Sequence, residues 1–199
     1  MLVRSTEELR ASLLRADDST IVLLPSARFA LFGTPLAIPA GRRARIVGGE
    51  GEGARPTIDG RARSRLLEVR GTLELQGVHL TGGRASWGGC MRIWPGGSAI
   101  VRGSLLADCV AWAADGKARG GAVYVEGGHL ELLQSTVDHC SVVGIGSHSA
   151  AGGALYCGDQ STMLIANTTI VNATALAAGD GNAYGGAMYS EDLDRKSVV

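Results

Sequence analysis

The 199-residue sequence predicts an all-β solenoid: a right-handed parallel β-helix of about six coils with an α-helical cap at its N-terminal end. Three observations lead there. Gly-Gly pairs at 88–89, 120–121, 152–153 and 185–186 stand 32, 32 and 33 residues apart, and a fixed period of this size marks a stacked array. After each pair comes a short alternating segment, Met91-Arg92-Ile93, Val123-Tyr124-Val125, Leu155-Tyr156-Cys157 or Met188-Tyr189-Ser190, with Leu67-Glu68-Val69 as an earlier member. Period-two alternation sends successive side chains to opposite faces, as in a strand. Finally, the apolar runs last three to five residues between glycines, which rejects the helical repeats of similar period.

The elements follow in order. Ser5-Thr6-Glu7-Glu8 reads as a capping box, and Leu9 and Leu13 stand at i, i+4 spacing before Asp17-Asp18. An amphipathic helix from about Thr6 to Ala16, within a cap of residues 1–18, would cover the open end of the stack. The buried strand Thr20-Ile21-Val22-Leu23-Leu24, then Leu36-Ala37-Ile38 and Arg45-Ile46-Val47-Gly48, fill the first two coils less regularly.

Later coils carry a second strand (Leu73-Glu74-Leu75, Ala99-Ile100-Val101, Leu130-Glu131-Leu132, Met163-Leu164-Ile165) and a third (Val78-His79-Leu80, Ser104-Leu105-Leu106, Ser135-Thr136-Val137, Thr168-Thr169-Ile170). Asn167 stands at the tight turn between them, where Asn suits the backbone. The segments at about 81–88, 107–120, 138–152 and 171–185 read as long loops along one edge.

The coils occupy 19–190 of a single domain, 1–199, and residues 191–199 form an irregular tail. Gly185-Gly186-Ala187-Met188-Tyr189 begins another coil, but Glu191-Asp192-Leu193-Asp194-Arg195-Lys196 breaks the alternation. The expectation is an uncapped end, belonging to a truncated longer protein or to a chain that associates end to end.

Nineteen basic residues balance nineteen acidic ones, which removes the general attraction to phosphate and argues against nucleic acid as a partner. No run approaches the roughly 18 to 20 apolar residues of a membrane span, and the charged start Arg4, Glu7, Glu8, Arg10 lacks a secretory apolar region. Cys90, Cys109, Cys140 and Cys157 form no CxxC pair. Cys109 and Cys140 hold equivalent positions in adjacent coils, so their Cα atoms should stand about 5 Å apart and they can bridge if oxidised. Cys90 and Cys157 should not pair with each other. His79, His129, His139 and His148 fall at unrelated coil positions, so neither a metal site nor a cofactor is expected.

The cap helix, the Thr-Ile-Val-Leu-Leu strand, Ile46-Val47-Gly48-Gly49 and Thr57-Ile58-Asp59-Gly60 resemble the start of the pectin-lyase-like β-helix superfamily. The Gly-Gly-Ala-hydrophobic units at 120–123, 152–155 and 185–188 resemble the polymorphic outer-membrane protein repeat. The resemblance implies an extracellular or cell-surface setting, and a fold that hosts lyases, hydrolases, adhesins and scaffolds alike. The departures count against catalysis. Where the repeat has FxxN, this chain has Leu106-x-x-Cys109, Val137-x-x-Cys140 and Ile170-x-x-Ala173. The NxD, paired Asp, GHG and RxK of polygalacturonase-like enzymes have no counterpart at matching places, and the first-strand outer face offers only Glu68 and Arg92 toward a lyase's metal and base.

If Leu67, Val69 and their equivalents face inward, the residues between them form an outward column, Glu68, Arg92, Tyr124, Tyr156, Tyr189. A tyrosine row offers flat faces for sugar rings and hydroxyls for their OH groups; equally, an aromatic ladder stabilises adjacent strands. The loops beside it contribute Trp87, Trp112, Asp115, Lys117, Arg119, His148, Asp180, Asn182 and Tyr184, a set without an acid and base pair. The candidate ligand-binding residues are therefore Arg92, Tyr124, Tyr156, Tyr189, Trp87 and Trp112, with no catalytic residue. Asn167-Thr168-Thr169 and Asn172-Ala173-Thr174 fit the glycosylation acceptor pattern, which matters only for a secreted chain. The expected function is a non-catalytic carbohydrate-binding or cell-surface interaction module whose partner is a polysaccharide or cell-surface glycan. A polysaccharide lyase or glycoside hydrolase comes second, and a fragment of a larger surface protein third.

Overall fold

The computed structural model describes residues 1–15, 20–48, 54–114, 116–146 and 149–191, and its architecture is mostly β with parallel sheets. The tail from 192, Asp17-Asp18, Gly49, Asp115 and His148 lie outside the described residues. The first-strand sheet contains Leu36–Ile38, Leu67–Val69, Met91–Ile93, Val123–Val125, Leu155–Cys157 and Met188–Ser190. A second-strand sheet of seven begins with Leu2–Val3 and Thr20–Leu23 and ends with His129–Leu133 and Thr162–Ala166. The third-strand sheet of six runs from Arg28–Ala30 to Thr169–Val171. The chain visits second, third and first sheets in turn, then starts again.

The registers are those that the repeat period predicts. Leu67 pairs with Met91, Met91 with Val123, and Val123 with Leu155 in the first sheet. Leu73, Ala99, Leu130 and Met163 align in the second, and Leu80, Leu106, Val137 and Ile170 in the third. The inward residues of all three sheets, among them Phe29, Ile58, Leu67, Leu75, Met91, Val101, Leu132 and Leu155, join one buried cluster.

Helix Thr6–Arg15 closes one end of that cluster and packs by the strand Leu36–Ile38. Leu9 and Leu13 are its buried face, each stabilising the cap by roughly 1.5–3 kcal/mol through lost water contact. The Glu8 amide donates to Ser5 Oγ at 3.2 Å, as in a capping box. The return bond is displaced by one residue, since Glu8 Oε2 accepts from the Arg4 amide at 2.7 Å.

Two glycines per repeat have separate reasons to be glycine. The first of each pair, Gly88, Gly120, Gly152 and Gly185, has φ between 54° and 67°, a left-handed conformation costly for other residues. The second lies flat against the next repeat: a Cβ on Gly121 would collide with the Gly153 carbonyl, and one on Gly153 with the Gly186 carbonyl. At the corner between second and third strands, hydroxyls do the joining. The amides of Val78, Ser104 and Ser135 donate in succession to the side-chain oxygens of Ser104, Ser135 and Thr168 at 3.2, 3.2 and 3.3 Å. Asn167 takes φ 50° there, as expected.

Two expectations are corrected. The segments read as loops form two further parallel sheets: a fourth of Arg84–Ala85, Val110–Ala113, Ser141–Ile145 and Thr174–Ala178, and a fifth of Ala118–Arg119, Ala150–Ala151 and Ala183–Tyr184. Their inward positions are small, with Ala111, Ala113, Ala118, Val142 and Ala150 making a separate compact core. The cysteines differ too. Cys109 and Cys140 do stack, the Ser141 amide donating to the Cys109 carbonyl at 2.9 Å, but the disulfide joins Cys90 to Cys109 within one repeat, Cα to Cα 5.5 Å. Glycine is the reason: Gly89 lies so close to Val110 that a Cβ would stand 2.7 Å from its backbone N and O, which brings the flanking cysteines together. Cys140 and Cys157 are free thiols.

Gly153→Ala is expected to lower stability by about 1–3 kcal/mol, whereas Gly186→Ala, with nothing nearer than 4.0 Å to a new Cβ, should change it by less than about 0.5 kcal/mol; urea unfolding measures both. Burial pushes the Cys140 thiol up to about 12, so iodoacetamide at neutral pH should leave it unmodified in the folded chain and label it after unfolding. Peptide mapping of the same samples should show Cys90 linked to Cys109, and replacing both by serine should cost roughly 2–4 kcal/mol.

Candidate functional site

The outward column of the first-strand sheet forms in the expected register, Glu68, Arg92, Tyr124, Tyr156 and Tyr189 being successive partners. Tyr124 is the middle residue of a three-residue strand whose neighbours Val123 and Val125 face the core, and Tyr156 and Tyr189 follow it in register, so the three share the outward face. Trp87 adds itself at one end of the ladder. Ring centroids lie 5.4 Å apart for Trp87–Tyr124, 5.2 Å for Tyr124–Tyr156 and 5.4 Å for Tyr156–Tyr189, and Tyr184 stands 5.7 Å from Tyr189. Such pairs contribute roughly 0.5–1.5 kcal/mol each beyond burial.

Guanidinium groups flank the ladder. Arg92 lies 3.4 Å from the centroid of Trp94 and 4.8 Å from that of Trp87, and it pairs with Glu126. Arg65 pairs with Glu68 and donates to the Trp87 carbonyl at 2.7 Å, and burial depresses its pKa. Arg119 lies over Tyr156 at 4.7 Å and pairs with Glu191 at 2.6 Å. Arg92 Nε and Trp94 Nε1 are buried without hydrogen-bond partners, and the Trp94 ring face offsets the desolvation of the guanidinium.

The column is not an open row of ring faces. Tyr124 is 3% exposed and Tyr156 1%, because the fifth sheet lays Ala151 against both rings. Reading that segment as a loop left the column open in the sequence-based picture; as a strand it roofs the middle of it. Burial raises the pKa of Tyr124, against the opposing pull of Arg119. Burial, then the neighbouring Glu191 carboxylate, raises that of Tyr156. Both phenols are therefore neutral donors.

The roof ends at one place. Lys117, Arg119, Ser149, Ala151, Tyr184, Tyr189 and Glu191 border a recess of about 210 Å³ with Tyr156 as its inner wall. Tyr184 is exposed and Tyr189 half-buried, and the buried Tyr156 hydroxyl lies beside the Glu191 carboxylate without a hydrogen bond of good geometry. Trp112 is elsewhere. It projects from the outer face of the fourth sheet beneath Arg84, whose guanidinium is 4.9 Å from the ring centroid. So Arg92, Trp87, Tyr124, Tyr156 and Tyr189 are brought together and Trp112 is not. Lys117, Arg119, Tyr184 and Glu191 complete the recess; the first three were among the flanking residues noted in the sequence, whereas Glu191 gave no signal there beyond its charge.

A larger recess of about 510 Å³ is bordered by Arg42, Arg43, Arg70 and Thr72 with three glycines; Arg70 lies over Trp94 at 4.0 Å, and no tyrosine lines it. Chemistry favours the smaller one. Among the described residues no three His, Cys, Asp or Glu side chains converge as a metal site, and no helix is long and apolar enough to cross a membrane.

No family model matches this chain, and no curated protein or solved structure matches it either. The recess is therefore read from its own residues.

Tyr124→Ala removes a ring held between Trp87 and Tyr156, and it should cost roughly 3–5 kcal/mol by urea unfolding, as a core aromatic does rather than a surface one.

Proposed function

We propose that the chain is a non-catalytic carbohydrate-binding or surface-interaction module on a right-handed parallel β-helix. For the scaffold, the support is the repeated order of second, third and first sheets, all parallel, together with the strong preference of parallel crossovers for the right hand. For the function, one observation carries the reading: the recess at the end of the tyrosine ladder combines ring faces on Tyr184 and Tyr189 with donors on Lys117, Arg119, Ser149 and Tyr156. Sugars present both an apolar C–H face and a ring of hydroxyls, so they need such a mixture.

Its volume, about 210 Å³, is below the roughly 300–1,000 Å³ of enclosed ligand pockets and suits one ring-sized unit of a longer chain. A single-ring contact gives modest affinity. One carboxylate, Glu191, borders the recess and pairs with Arg119, and no second one lines it among the described residues to make the acid and base pair of a glycosidase.

Calorimetric titration of a panel of neutral and acidic oligosaccharides tests this. At least one should bind wild type and lose about tenfold or more in affinity in Tyr184→Ala and Tyr189→Ala, with both variants still folded at the titration temperature by circular dichroism; binding that ignores both substitutions overturns the assignment of the site.

A further inference from the structure

We propose that Glu191 is an internal ligand, a carboxylate of the chain itself occupying the place of an external carboxylate that the recess binds by exchange. This rests on reading the recess as a binding site, and it adds both a ligand chemistry and a means of regulation.

The first argument is where Glu191 comes from. Its amide is fixed by a 3.0 Å bond to the Cys157 carbonyl, just past the strand Met188–Ser190. From there its side chain reaches Arg119, 72 residues earlier in the chain and two repeats away. That contact puts a negative group at the mouth of a recess that otherwise offers donors.

The second argument is a count of hydrogen-bonding partners. Lys117 has no ion pair among the described residues, and the Tyr156 hydroxyl, whose residue is 1% exposed, has the Glu191 carboxylate beside it without a hydrogen bond of good geometry. A buried donor whose acceptor is badly placed keeps part of its desolvation cost, which a better-placed oxygen would relieve. Glu191 satisfies Arg119, meets Tyr156 imperfectly and leaves Lys117 without a partner among the described residues. A ligand carboxylate, set deeper, has Arg119, Lys117 and Tyr156 all within the same recess.

The third is the exposure of the pair. The side chain of Glu191 is 30% exposed and that of Arg119 16%, so the carboxylate is the partner nearer water and another carboxylate can replace it while the guanidinium stays paired. Glu191 therefore acts as a latch: it neutralises the site when empty and swings out when a carboxylate on a ring-sized molecule enters.

The experiment titrates acetate, glucose and glucuronate into wild type, Glu191→Gln and the double variant Glu191→Gln/Tyr156→Phe. Glu191→Gln should bind glucuronate about tenfold or more tighter than wild type and show the same trend, more weakly, with acetate. Glucose should be indifferent, and the double variant should lose most of the gain. Glucuronate and acetate binding unchanged or weakened in Glu191→Gln overturns the latch. If that variant fails to fold, the Glu191 side-chain carboxyl ¹³C resonance of wild type decides: it shifts on adding acetate if Glu191 is displaced and stays if it is not. Oligosaccharides that bind wild type and Glu191→Gln equally would leave the carbohydrate reading standing without the latch. Acetate binding gained by Glu191→Gln, with no sugar bound by either protein, would do the reverse.

Discussion

Successive repeats approach most closely where the second glycine of one Gly-Gly pair meets the carbonyl of the next, and there is no space between them for a methyl group. The fourth and fifth sheets are hung from that contact. It lets the chain enter the first strand close beside the exit of the third, so Gly89 can lie on Val110 and Cys90 can reach Cys109. The left-handed glycine before it turns the chain out of the fifth sheet and into the first strand, which sets Ala151 over the tyrosine ladder. Ordinary residues at these positions would push the fourth and fifth sheets off the body of the molecule.

The ladder answers a second constraint, the cost of burying polar side chains. Tyr124, Tyr156, Arg65 and Arg92 carry phenol and guanidinium groups into surroundings largely closed to water. Stacked rings, cations over ring faces and carboxylate partners offset that cost along the column, and the balance is incomplete at Tyr156, whose hydroxyl makes no hydrogen bond of good geometry. An incomplete balance at the edge of an otherwise compensated array is what separates the recess from the rest of the surface.

Much of this was legible in the residues, and what was not has physical causes. The three main strands and their registers follow from a period of 32 or 33 residues, because inward Leu, Val, Ile and Met contrast sharply with the outward residues between them. The fourth and fifth sheets escaped because their inward residues are Ala111, Ala113, Ala118, Ala150 and Gly144, whose small side chains pack well but carry little hydropathic contrast. That single omission made a roofed column look open. The alignment of Cys109 with Cys140 was likewise visible as a repeat offset, but a period reports distance along the stack and is silent about distance across it. The membership of Arg92, Tyr124, Tyr156 and Tyr189 in one column was readable from strand alternation. Their burial was not.

The placing of the disulfide has a mechanical consequence. Because it closes a loop of 19 residues inside one repeat, it adds nothing to the bonds that hold neighbouring repeats together, and those remain hydrogen bonds and packed side chains. Under a pulling force the repeats can still peel away one by one. The stapled repeat, however, yields less slack than the others by the contour length of the closed loop, roughly 65 Å at about 3.4 Å per residue. The cross-link thus limits how far the chain extends and leaves untouched the force at which it gives way.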